Sequence, residues 1–138
     1  MNAIQKTMPL LAALDELSAQ WAGRDDKQHP LLGVPAVHPT MIRGGVFISN
    51  VPERCDVALN TTYLPANADE RGFGSVPRGE IERAVGAAAG RDDWLAANRP
   101  AWSWYTDYPP SEIDPETPIV EVVSIPSGAA WCGTPEAR

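Results

Sequence analysis

Apolar residues recur at the helical period from the start of the chain. Leu10, Leu14, Leu17 and Trp21 stand at i, i+4, i+7 and i+11, and Ile4 and Leu11 widen the stripe. An interior proline removes a hydrogen bond and clashes with the preceding turn. With Pro9 in this run, the regular helix is expected to begin near Thr7, to hold Pro9 in its first turn, and to stop at Gly23. Residues 24–39 lose the period and read as a connector rich in charge and proline. Ile42, Val46 and Ile48 then alternate with Met41, Arg43, Phe47 and Ser49, which predicts a strand interrupted at Gly44 and Gly45. Asn50 to Glu53 reads as a turn. A second strand is predicted from Arg54 to Leu64, with Cys55, Val57, Leu59 and Tyr63 on one face, and the short link makes the pair an antiparallel hairpin.

Past a polar loop over 66–75, Ser75 is placed to cap a helix with Pro77 in its first turn, along the stripe Ile81, Ala84, Val85, Ala88 to a stop at Gly90. Asp92 caps a short further piece that Pro100 ends. Trp102 and Trp104 alternate with Ser103 and Tyr105 and read as a third strand. Residues 118–125 fit a strand or a helix, and 126–138 show no usable period. The order helix, strand, strand, helix, strand predicts an α+β fold, an antiparallel sheet with both helices on one face. A ferredoxin-like arrangement needs one more strand ahead of the first helix, and that strand is missing.

Composition narrows the functional classes. The 138 residues suit one domain, and 43% hydrophobic content argues against general disorder. A net charge of -7 opposes a nucleic-acid role, which needs a basic face. No apolar run is long enough to span a membrane, and Met1 runs straight into a helical pattern rather than a signal peptide. Two cysteines, Cys55 and Cys132, suit free thiols in a reducing, cytoplasmic setting.

The chemistry-bearing residues are few. A dinuclear zinc site needs about five or six converging His, Asp and Glu side chains, whereas the histidines of this chain are only His29 and His38, both in the connector. There is no Gly-x-Ser-x-Gly elbow, and Cys55 reads as a small half-buried strand residue. Neither a catalytic nor a metal-ligating residue is expected. Gly44 and Gly45 would let a ligand approach the backbone, or mark a bulge. Asn50 is a turn former or a ligand contact.

The run Met41-Ile42-Arg43-Gly44-Gly45 followed by Asn50-Val51-Pro52-Glu53-Arg54-Cys55, then Tyr63-Leu64-Pro65 and Arg78-Gly79-Glu80-Ile81-Glu82, resembles the zinc-dependent acetylornithine deacetylase, succinyl-diaminopimelate desuccinylase and carboxypeptidase G-type family. Asp93-Trp94-Leu95 and Tyr108-Pro109-Pro110-Ser111-Glu112 resemble its deacetylase-like branch. The resemblance implies a peptidase dimerisation (lid) domain over residues 1–123, with 124–138 an unassigned tail. It implies substrate contacts at Asn50, Gly44 and Gly45, a homodimer, no cofactor in this chain, and zinc in a parent enzyme whose catalytic domain is missing here. The family's lid histidine and first lid strand would precede Asn2, and Thr62 stands where many members carry arginine. The expected function is thus dimerisation and lid closure in an amide hydrolase. The rival is a stand-alone ferredoxin-like small-molecule sensor.

Overall fold

A computed structural model describes residues 1–114 and 116–123 of the chain. Helix α1 spans Ala3–Ala22, strand β1 Val37–Gly44, strand β2 Cys55–Thr61, helix α2 Ser75–Ala89, helix α3 Asp93–Ala97 and helix α4 Pro118–Val123, with single 3-10 turns at Asp25–Lys27 and Pro65–Asn67. The architecture is α+β: one two-stranded antiparallel sheet with helices packed against it.

Helix α1 starts earlier than proline placement alone suggests. The Asn2 carboxamide accepts from the Ile4 and Gln5 N–H groups at 3.0 and 3.3 Å, and Ala3 N–H donates to the Pro52 carbonyl at 2.9 Å. The otherwise orphaned donors of the first turn are therefore satisfied at Asn2 rather than near Thr7. Pro9 lies inside the helix on its exposed side, where the carbonyl it leaves without a donor can meet water. Tertiary packing holds the helix across this defect. Leu14, Leu17 and Trp21 form one core with Val37 of β1 and with Ile81 and Val85 of α2, and Leu10, Leu11, Leu59, Ala84 and Trp104 pack around it.

Ser75 is the first residue of α2 rather than its cap. Gly74 occupies the cap position, and the Ser75 hydroxyl instead donates to Asp69 Oδ2 at 2.7 Å. Asp92 does cap α3, accepting from Leu95 N–H at 3.0 Å.

The hairpin forms with Val37 opposite Thr61, Ile42 opposite Val57 and Gly44 opposite Cys55, with a register irregularity between Pro39 and Met41. It differs from the predicted one at its turn. Gly45 adopts φ +81, a conformation L side chains rarely take, and the chain leaves the sheet there. Val46, Phe47 and Ile48, predicted as strand, lie in the connection and are exposed.

Residues 102–105 form no regular strand. Trp104 packs onto the core, but the segment has no ladder partner among the described residues. Residues 118–123 resolve the strand-or-helix ambiguity as helix. The tail 124–138, with Cys132, lies outside the described residues. Among the described residues no helix is long and apolar enough to cross a membrane.

Candidate functional site

The three residues singled out as substrate contacts share one surface. Gly44, Gly45 and Asn50 line an open hollow of about 610 Å³ between the hairpin turn and the start of α1, together with Asn2, Ile4 and Pro52. Its floor depends on glycine. A Cβ at Gly44 would lie 2.9 Å from Ile4 Cγ1 and 3.3 Å from the Arg54 carbonyl oxygen. The absent side chain is thus what lets β1 approach α1. Asn50 is exposed, and its N–H donates to the Phe47 carbonyl at 3.0 Å. The rim is apolar and open to solvent: Val46 is 93%, Phe47 66% and Ile48 97% exposed.

The histidines and Cys55 are not brought together. His29 Nδ1 accepts from the Leu31 and Leu32 N–H groups, both at 3.1 Å, so that nitrogen holds a turn. His38 stands on β1 opposite Asn60, and Cys55 is a partly exposed free thiol at the far end of the hairpin. Among the described residues no group of three or more His, Cys, Asp or Glu side chains is arranged to hold a metal ion. These residues do not fit the zinc site of the resembled family, and no chemical step is assigned through a metal.

Two polar clusters went unseen in the sequence. In the first, the Asp107 carboxylate is a shared acceptor. Tyr63 OH donates to Oδ1 at 2.5 Å, and Gly74 N–H and Arg78 Nη2 donate to Oδ2 at 3.0 and 2.6 Å. Burial alone would raise the Asp107 pKa, but these donors and the Arg78 charge outweigh it and hold the pKa below the ordinary carboxylate value. The Tyr63 hydroxyl is pushed up to about 12, by burial first and by its bond to Asp107 second. In the second cluster, Glu80 accepts from the indole N–H of fully buried Trp21 and from Arg24 Nη1 at 3.1 Å, with Lys27 Nζ 3.5 Å away. The Lys27 ammonium also lies 4.8 Å from the Trp21 ring centroid. A buried lysine is tolerable with such partners. Both clusters join residues far apart in the chain, so no local spacing could reveal them. Their geometry ties α1, α2 and the segment after α3 together.

The chain is similar to two curated proteins of one description. The N-formyl-4-amino-5-aminomethyl-2-methylpyrimidine deformylase of Bacillus subtilis is 25% identical, across 86% of this chain and 29% of that protein. The protein of the same name from Halalkalibacterium halodurans is 27% identical, across 75% of this chain and 23% of that protein. The chain thus spans less than a third of the length of these relatives. No family model and no solved structure matches it.

These findings correct the reading drawn from the motif run. The relatives are named as deformylases of an N-formylated aminopyrimidine, which supports neither a peptidase dimerisation and lid domain nor a stand-alone sensor. The physical reason is visible in the hairpin. Gly44 is required by contact with Ile4, Gly45 by its positive φ, and Pro52 presents the carbonyl that receives Ala3 N–H. The motif therefore describes how a turn is built, and backbone requirements of this kind do not report which substrate is bound.

Proposed function

We propose that the chain is part of an amide hydrolase that removes the formyl group from an N-formylated aminomethylpyrimidine or a close analogue. The observation that supports this is that two relatives from different bacteria carry the same name and align with 86% and 75% of the chain. The reaction consumes water and yields formate and the free amine. In this reading the hollow at the hairpin turn receives part of the substrate. The exposed Asn50 carboxamide has a donor and an acceptor to match a formamide, and Gly44 and Gly45 line the same hollow. Attack on the formyl carbon is assigned to none of the described residues.

The test is a titration of isotopically labelled chain with N-formyl-4-amino-5-aminomethyl-2-methylpyrimidine, followed by backbone NMR, with formate release measured on the same samples. Saturable shifts at residues 44–52 and Asn2 are expected, and they should weaken when Asn50 is replaced by alanine. The hollow loses its part in the reading if these amides stay unmoved at millimolar formylated pyrimidine, and the reading itself fails if no amide of the chain responds.

A further inference from the structure

The segment after α3 carries a second feature that the hairpin hollow does not use. The indole rings of Trp102 and Trp104 are stacked, with centroids 5.8 Å apart and planes inclined by 5°. Trp104 is held firmly. Its indole N–H donates to Glu82 Oε1 at 2.8 Å, the Arg78 guanidinium carbon lies 4.9 Å from its ring centroid, and the ring packs on the core. Arg78 is itself fixed by Asp107, whose carboxylate also accepts from Tyr63 OH and Gly74 N–H. The stack thus ends in an ordered cation and a half-buried carboxylate, and its outer member, Trp102, remains 38% exposed.

Such an arrangement is costly to leave idle. An indole kept in one orientation beside solvent exposes apolar surface without gaining from mobility. Pre-organisation is what makes an aromatic face an effective binder, because little ordering remains to be done when a flat ring arrives. We infer that Trp102 is a stacking platform for a planar nitrogen heterocycle, with Trp104, Arg78 and Asp107 as positioning residues that hold it in place. The inference rests on the deformylase reading for the choice of ring, an aminopyrimidine, but it uses a different surface from the hairpin hollow.

The experiment follows the tryptophan indole N–H signals of the labelled chain during titration with 4-amino-5-aminomethyl-2-methylpyrimidine, with its N-formyl derivative, and with N-formylmethylamine, which has no ring. Both ring compounds should shift the Trp102 signal saturably, and the ringless formamide should leave it unmoved. Stacking of a base on an aromatic side chain corresponds to roughly 5- to 150-fold in affinity. Trp102→Ala should therefore weaken ring binding by about that factor, whereas Trp102→Phe should keep most of it. Circular dichroism establishes that each variant is folded. The inference is overturned if the ring compounds shift only residues 44–52, a result that leaves the deformylase reading standing. It is overturned too if Trp102→Ala, folded, binds the ring as the parent does. A Trp102 shift with no response at residues 44–52 supports the platform and removes the hairpin hollow from the function.

Discussion

Replacing Asp107 by asparagine tests whether the irregular segment after α3 is held by one carboxylate. The side chain is 12% exposed and accepts from Tyr63, Gly74 and Arg78, the last being 28% exposed. Asparagine keeps the shape but loses the charge, and its amide can accept through only one of its two terminal atoms. At least one of the donors now served by Oδ1 and Oδ2 therefore loses its partner. Removing one member of a fully buried ion pair costs about 3–5 kcal/mol, and a hydrogen bond to a charged group contributes about 1.5–3 kcal/mol. Arg78 keeps some access to water, so the lower range applies, and a loss of about 2–3 kcal/mol is expected. For a chain of this length that is a fall in melting temperature of about 6–15 °C.

Urea denaturation followed by circular dichroism measures the free energy, and the slope should stay unchanged. The pH dependence supplies a second check. The folded Asp107 pKa is depressed, so its contribution is present above the unfolded pKa and is lost as pH falls through the folded value. The gap between the parent and Asp107→Asn should therefore be full well above the ordinary carboxylate pKa of about 3.9 and narrow as pH falls below it. A loss under about 0.5 kcal/mol at neutral pH would mean that the segment is held by Trp104 packing instead, as would a gap indifferent to acid.

Other outcomes follow from the same geometry. Tyr63 has a pKa raised from 10.0 to about 12, so its protonated form stabilises the fold below pH 10 and that contribution is lost as pH rises to 12. In alkaline melts Tyr63→Phe should lack this loss. Gly44→Ala places a Cβ 2.9 Å from Ile4 Cγ1, and should cost about 1–3 kcal/mol. Ile4→Ala in the same chain should recover most of it, whereas strain in the Gly44 backbone would not be relieved that way. Leu14, 2% exposed in the core, should cost about 2–5 kcal/mol as Leu14→Ala in a denaturant titration. Both outer edges of the two-stranded sheet are unpaired among the described residues, beside the exposed Val46, Phe47 and Ile48. Light scattering should show a dimer at high concentration that Ile48→Lys converts to monomer.

The sequence by itself determined the local elements and their sides. The stripe Leu10, Leu14, Leu17, Trp21 gave α1 its buried face, Ile81 and Val85 did so for α2, and the Asp92 cap and the Gly23 and Gly90 stops lie where the chain marks them. These features rest on interactions within a few residues, which spacing records faithfully. Gly44, Gly45 and Asn50 lie close in the chain, at the end of β1 and in the connection that follows it, and so they line one hollow. The motif run misled on function because the same residues answer to backbone needs. Only the tertiary structure decided the rest. It carried α1 across Pro9, and it brought the Pro52 carbonyl from the hairpin to the Ala3 N–H beside the Asn2 cap. It left Trp102 to Tyr105 without a ladder, because a strand exists only where a neighbouring backbone supplies partners. It joined Tyr63, Arg78 and Asp107, and Trp21, Lys27 and Glu80, into charged clusters. In those clusters the contact is a property of the packed chain, since loop closure carries only a slowly growing cost with length and leaves no periodic trace in the sequence.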